Sequence, residues 1–475
     1  MSVKSEIGII GLGVMGKGIA SIIAEKGITL SVFNRHVSGS EEQVATKFVQ
    51  ENTQLKGIIP FDDLKQFVDS IETPRKIIMI IKAGAPVDDM IDAILPLMQS
   101  DDVLVDAGNS HFRDTMRRSK DIEKYRIHYM GTGISGGKYG VHFGPSIMIG
   151  GSMVGYSRIG KILENISSKD ANGKPCCIYM GPGGAGHFVK MAHNGIEYAD
   201  MQIIAETYFL MRFYAQLDPE QIADAFDRWR REGQEGYLLE ITSKILRKRE
   251  DGEYLIDKVL DCAHQKGTGG WTIQASMALG TPVDTVCASV MARYLSGLKS
   301  RRVTAMSIYD HTLPVLDGTP ERLISELFSA YAGARIVNHA MCFDLLRVAS
   351  EKFGWSLNLS DIARIWTSGC VIQSELMESL VETFEDTEND NLLLHPDFTK
   401  KMKYYQFEMA SVISESLQNS YPVPVLSAGL NYYLGFINGQ SSANLIQAQR
   451  NFFGSHAYQR TDQPENKYFH SDWTI

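Results

Sequence analysis

The stretch HFVKMAHNGIEY, His187 to Tyr198, carries an amine at Lys190, an imidazole at His193, a carboxamide at Asn194 and a carboxylate at Glu197. An α-helix advances about 100° per residue, so this spacing sets all four on one face. A lysine and a glutamate that share a face with hydrogen-bonding groups suit proton transfer to and from a bound molecule. Taken alone, the same spacing also describes a solvated Lys/Glu pair on an exposed helix. The neighbouring Phe, Val, Met, Ala and Ile residues, and Gly184 and Gly186 just before them, favour a packed helix and a chemical use of the face.

The elements that must position this helix begin at the N-terminus. The segment EIGIIGLGVMGKGIASIIAEKG sets an apolar strand, Ile7 to Ile10, ahead of Gly11, Gly13 and Gly16 and an amphipathic helix ending near Gly27. This is the dinucleotide fingerprint in its strand–turn–helix context. The first glycine makes the tight turn, the second lets a pyrophosphate approach the backbone, and the third lets helix and strand pack closely. A second strand, Leu30 to Phe33, ends at Asn34, Arg35 and His36, where an NAD-binding chain would place an acid against the ribose 2′-hydroxyl. Arg35, with Lys17 or His36 adding to the field, points instead to the 2′-phosphate of NADP.

Further apolar segments, Lys76 to Ile81 and Val103 to Val105, alternate with helical stretches and predict a doubly wound parallel sheet. Ligands of such sheets bind at the carboxyl ends of the strands. Cofactor contacts are therefore expected from Gly11, Leu12, Gly13, Val14, Met15, Gly16, Asn34, Arg35 and His36, and from Lys82, Ala83, Gly84 and Asn109. The run Ser135-Gly136-Gly137 can present backbone N–H groups to an anion, although glycines also serve simply to make turns.

From His187 to about residue 437 the period is helical, starting with a segment that runs uninterrupted to Gln216. Tyr208 to Trp229 weakly resembles Phe343 to Trp366, which predicts a duplicated helical unit with Trp229 and Trp366 in equivalent places. Between the repeats, a glycine-rich loop carries Lys266 and Thr268, and Arg293 stands on an otherwise apolar helix, a position that usually implies an anionic partner. The tail from residue 438 is polar and aromatic, with too little apolar surface to fold alone, so it must lie on something, most naturally a second subunit. The organisation expected is an α/β Rossmann-type NADP-binding domain over 1–183, a large all-α substrate and dimerisation domain with an internal duplication over 184–437, and a short C-terminal tail over 438–475 reaching a partner subunit.

Composition narrows the function class. With 475 residues, 44% of them hydrophobic, the chain can bury a large core. A net charge of −9 argues against a nucleic-acid partner, and no apolar run is long enough to span a bilayer. No signal peptide opens the chain and its six cysteines show no CxxC spacing, which points to the cytoplasm, free thiols and no metal site.

Together, GLGVMG, KAG, GNS, GISGG, GHFVKMAHNGIEY, QKGTGGW and NLIQAQRNFFGSH resemble the decarboxylating 6-phosphogluconate dehydrogenases nearly end to end. The resemblance implies oxidation of 6-phosphogluconate by NADP and loss of CO2 to give ribulose 5-phosphate, a pentose phosphate pathway reaction that uses no metal. It implies that Lys190 is the general base and later polarises the ketone, that Glu197 protonates C1 of the enediol, and that His193 and Asn194 bond substrate hydroxyls or the nicotinamide amide. It assigns the substrate carboxylate to Ser135, Gly136 and Gly137, with Asn109 nearby. It assigns the phosphate to Tyr198, Lys266, Thr268 and Arg293, joined by Arg450 and His456 of a partner subunit in a homodimer.

The chain departs from the family pattern at Lys138, Tyr139 and His142 after SGG, at His264 and Gly270 around the KGTG loop, and at His36 in the cofactor loop. Two other readings share parts of the pattern. Shorter β-hydroxyacid dehydrogenases have the dinucleotide domain and lysine helix but lack the duplicated unit and the KGTG loop. A catalytically silent metabolite sensor would keep the fold, but it would not need both Lys190 and Glu197.

Overall fold

The computed structural model describes residues 4–137, 144–265, 267–385 and 391–473. Eight strands form one sheet in the order β3-β2-β1-β4-β5-β6-β7-β8. They are β1 (Ile7–Ile10), β2 (Leu30–Phe33), β3 (Ile58–Phe61), β4 (Lys76–Met79), β5 (Val103–Asp106), β6 (His128–Ser135), β7 (Ser146–Gly150) and β8 (Cys177–Gly181). β1, β2 and β5 are short, mostly apolar and buried along their whole length, as expected of strands covered by helices on both faces.

The sheet is not wholly parallel, which corrects the sequence expectation. β1 to β6 run parallel, whereas β7 is antiparallel to β6 and β8 follows the direction of β7. The reason is the length of the connection. Only residues 136–145 separate β6 from β7, fewer than the dozen or so that a crossover to a parallel neighbour requires.

After β8 the chain enters the helix Ala185–Phe209, the lysine helix, which closes in a single π turn, Leu210–Tyr214, in place of the unbroken helix expected to Gln216. The helix lies backbone against backbone on the sheet, along a seam of glycines. A Cβ added to Gly133 on β6 would stand 2.4 Å from Lys190 Cβ, and one on Gly150 of β7 would stand 2.5 Å from the Gly186 nitrogen. A Cβ on Gly186 would lie 2.4 Å from the carbonyl oxygens of both Gly131 and Met148. No side chain fits at these positions.

The duplication is visible as two similar helical units. Asp218 caps Pro219–Trp229 and Asn358 caps Leu359–Ile365, and Trp229 and Trp366 are both buried. The units meet at a reciprocal bridge: Tyr237 N–H donates to Gln373 O at 3.1 Å, and Glu375 N–H donates to Glu235 O at 2.9 Å. The likeness extends past the stretch legible in sequence. Thr281-Pro282-Val283 and Tyr421-Pro422-Val423 lead in the same way into the helices Asp284–Ser296 and Pro424–Ile437.

The 33-residue helix Glu321–Phe353 packs along the lysine helix and carries a buried polar network. Arg335 Nε donates to Asp200 Oδ2 at 3.1 Å, and Asn338 Nδ2 donates to Asp200 Oδ1 at 2.9 Å. Thr285 at the start of Asp284–Ser296 donates to Asn338 Oδ1 at 2.9 Å, so the helix bearing Arg293 is tied to the helix bearing Lys190. Among the described residues, no helix is long and apolar enough to cross a membrane.

Gly133→Ala tests the seam. The added methyl must push β6 and the lysine helix apart, at a cost of about 1–3 kcal/mol. The expected outcome is a lower midpoint in denaturant unfolding; an unchanged midpoint would show that the seam yields freely.

Candidate active site

Lys190 is buried where the lysine helix crosses β6, with room for its stem provided by Gly133. Burial lowers the basicity of its amine, and the neighbouring Glu197 carboxylate offsets that only in part. The Lys190 Nζ atom lies 3.2 Å from His193 Nδ1. His193 is wholly buried, and that burial together with the Lys190 charge holds its imidazole far below the usual histidine range, hence neutral. With Nδ1 accepting from the amine, the Nε2–H is left to donate to Ser135 Oγ at 3.0 Å. Asn194 Oδ1 lies 3.3 Å from the same Nδ1, and Glu197 Oε2 lies 3.8 Å from it. The edge of Trp366 packs against the His193 ring, centroids 5.4 Å apart.

The face predicted from spacing is thus a close group of polar side chains with an enclosed amine at one end and the partly exposed Glu197 at the other. Ser135 closes β6 beside it, and Gly136 and Gly137 turn away with φ of +131° and +56°, values that suit glycine.

One turn further on, Tyr198 is flanked by two other elements. Gly269, in the first turn of the helix Thr268–Leu279, approaches so closely that a Cβ there would stand 2.7 Å from Tyr198 Cδ2. From the helix Asp284–Ser296, the Arg293 guanidinium stacks over the Tyr198 ring at 3.8 Å. Arg293 forms no ion pair with a carboxylate among the described residues; the Glu197 charge lies near enough to favour the guanidinium, and Nη2 donates to Met201 Sδ at 3.5 Å. A half-buried guanidinium held by an aromatic face presents its remaining N–H donors to a ligand. Tyr198, Thr268 and Arg293 are brought together, while Lys266 lies outside the described residues, as do Lys138, Tyr139 and His142.

At the carboxyl end of β1, the fingerprint glycines behave unequally. A Cβ on Gly11 would stand 2.5 Å from Ile80 O, and one on Gly16 would stand 1.9 Å from Gly11 O, whereas one on Gly13 would meet nothing within 4 Å. Open space at the middle glycine, at the start of the helix Val14–Glu25, is where a pyrophosphate can approach free N–H groups at Val14 and Met15. Asn34 Oδ1 accepts from Leu12 N–H at 3.0 Å and holds this loop in shape. A cleft of ≈ 440 Å³ runs from Gly11, Leu12 and Gly13 past Asn34 and Arg35 to Lys82 and Pro86. His36 is exposed, Gly84 turns at φ +92°, and Asn109 stands exposed after β5.

Arg450 and His456 are not joined to this site within the chain. Both are exposed on the tail helix Ala443–Gly454 and just beyond it; Arg450 donates to Gln447 Oε1 and His456 O accepts from Asn451.

Family models match almost the whole chain: "NAD binding domain of 6-phosphogluconate dehydrogenase" over residues 6–181 and "6-phosphogluconate dehydrogenase, C-terminal domain" over residues 186–473. The chain belongs to the 6-phosphogluconate dehydrogenase family. It is 41% identical to the decarboxylating 6-phosphogluconate dehydrogenase of Salmonella typhimurium over 472 residues, 99% of each chain. It is also 41% identical to the NADP(+)-dependent, decarboxylating enzyme of Bacillus subtilis over 475 residues, again 99% of each chain. Among solved structures, it resembles the 6-phosphogluconate dehydrogenase of Plasmodium falciparum, studied in its apo form, with its cofactor NADP+ and with its substrate 6-phosphogluconate. The TM-score is 0.93 at 33% identity, covering 98% of this chain and 100% of that one.

Some groups at the site were not found by reading the sequence. Glu41 reaches Asn34 and Arg35 only because a short hairpin folds it back, a contact without a local signal. The glycine seam did have one: Gly131 and Gly133 alternate within a strand, where glycine marks close backbone approach.

Proposed function

We propose that this protein oxidises 6-phospho-D-gluconate with NADP and decarboxylates it to D-ribulose 5-phosphate. The observation that carries the reading is the enclosed Lys190, of lowered basicity, on a helix that also presents Glu197 and Tyr198. An exposed lysine is almost fully protonated at neutral pH; burial brings the neutral amine within reach.

In this account, Lys190 Nζ takes the proton from the C3 hydroxyl of the substrate. Bound NADP supplies the acceptor for the C3 hydride. The ammonium so formed is held by His193 and polarises the new C3 carbonyl, so that electrons released with CO2 collect on that oxygen as the C1–C2 bond breaks. Protonation of the terminal enediol carbon, C1 of the product, then falls to Glu197, the less enclosed acid on the same face. His193 and Asn194 bond the substrate hydroxyls, and Ser135 with the Gly136-Gly137 turn receives the carboxylate. Tyr198, Lys266, Thr268 and Arg293 receive the phosphate; Arg293 is already stacked and without a carboxylate partner among the described residues.

On the cofactor side, the fingerprint from Gly11 to Gly16 holds the pyrophosphate, Asn34, Arg35 and His36 lie along the 2′-phosphate, and Lys82, Ala83, Gly84 and Asn109 line the nicotinamide half. The phosphate site is completed by Arg450 and His456 of a second subunit, which makes the functional unit a homodimer. The exposed apolar groups of the tail helix, Phe452 and Phe453 among them, agree with a covered position.

Purified protein given 6-phosphogluconate and NADP is expected to form NADPH and CO2 in equal amounts, and Lys190→Met to abolish both with the fold intact. Reduction without CO2 would overturn the decarboxylase reading, and an active Lys190→Met would remove the base. The rate is expected to rise with pH as the amine loses its proton, at a pH below the ordinary lysine range.

Mixing inactive Arg450→Ala subunits with an equal amount of inactive Lys190→Ala subunits should restore about a quarter of the sites after random exchange, because half of the dimers are then mixed and each mixed dimer holds one intact site. No recovery after verified subunit exchange would contradict a shared site.

A further inference from the structure

Sequence places an arginine, not an acid, at the end of β2, yet the fold returns a carboxylate to that place. Residues 37 to 41 form a small hairpin: Val37 N–H donates to Glu41 O at 3.0 Å, and Glu41 N–H donates to Val37 O at 2.8 Å. Gly39 takes the bend with φ +79°, which costs little at a glycine. The hairpin directs the Glu41 side chain back toward β2. Its Oε1 accepts from Arg35 Nη2 at 3.0 Å and its Oε2 from Asn34 Nδ2 at 3.0 Å. Asn34 in turn holds the Leu12 N–H of the fingerprint loop, and Arg35 and Glu41 both line the cofactor cleft. The Arg35 side chain is 65% exposed and that of Glu41 36%, so water and ions reach the pair and it opens readily.

Resting on the NADP reading above, we infer that Glu41 sets the cofactor preference of this protein by competing with the 2′-phosphate for Arg35 and by offering NAD's 2′-hydroxyl a carboxylate acceptor. The chemistry is opposed for the two cofactors. A 2′-phosphate brings about two negative charges toward a guanidinium that already serves a carboxylate, so Glu41 must yield or be crowded by like charge. A ribose 2′-hydroxyl is a donor, and an acid near the end of the second strand is the group that accepts from it in NAD-binding sheets of this kind. Glu41 is held ionised for either purpose, since its bonds to Arg35 and Asn34 lower its pKa. The chain therefore uses both cofactors, with NADP favoured by less than Arg35 alone would give.

The test is binding, which needs no turnover. Affinities for NADPH and NADH are read by fluorescence, and those for 2′,5′-ADP and 5′-AMP by calorimetry. Glu41→Gln keeps an oxygen for Asn34 and removes the charge. It is expected to tighten NADPH and 2′,5′-ADP, weaken NADH, and raise the NADPH/NADH preference about tenfold or more, the scale of one charge-assisted hydrogen bond. Glu41→Ala should move the preference in the same direction. A preference within about twofold of wild type in both folded variants would overturn the inference, as would a shift toward NADH. A wild-type protein that binds neither NADPH nor NADH would remove the proposed function and this inference with it; one that binds both, indifferently to Glu41, would remove the inference alone.

Discussion

The close contact between the lysine helix and the sheet is the constraint on which the rest of the structure depends. Gly131 and Gly133 on β6, Gly150 on β7 and Gly186 on the helix leave no space for side chains, so two backbones meet directly. That contact encloses the Lys190 amine, lowers its basicity, and brings it to His193 and Ser135. A wider separation, such as leucine-sized side chains would impose, would admit water around the amine and restore an ordinary lysine. The same seam fixes the distance from the helix to the carboxyl edge of β1 to β6, where the cofactor cleft lies.

The duplicated helical units serve this arrangement from the other side. Asp200, on the lysine helix, is bonded to Arg335 and Asn338, and Asn338 also holds Thr285 at the start of the helix that delivers Arg293. The two ends of the site, amine and guanidinium, are therefore tied through one buried network. Arg293 is held by the Tyr198 ring and by a bond from Nη2 to Met201 Sδ, and no carboxylate among the described residues forms an ion pair with it, which leaves the rest of its N–H donors available.

What was legible in the sequence is what is encoded locally. The fingerprint glycines, the polar helix face and the Ser-Gly-Gly turn each lie within a dozen residues, and spacing alone sets their geometry. Non-local consequences were not legible. The reversal of β7 follows from a connection too short for a crossover, and the Glu41 contact requires a hairpin that returns the chain to β2. The repeat was seen only around its tryptophans: the Pro-Val shared by Thr281-Pro282-Val283 and Tyr421-Pro422-Val423 is too short to mark a repeat alone, and the helices after it differ at most side chains. Arg293 drew the right attention for an incomplete reason: burial beside an apolar face did demand a partner, and a tyrosine ring provides it.

Backbone contact along the glycine seam encloses Lys190 and makes its amine less basic than an exposed lysine. The direct measurement is the titration of its amine by NMR, with isotopically labelled lysine and Lys190→Arg to assign the signal. This one amine is expected to titrate clearly below the other lysines. A Lys190 signal titrating with the exposed lysines, near their usual value of about 10.4, would contradict it.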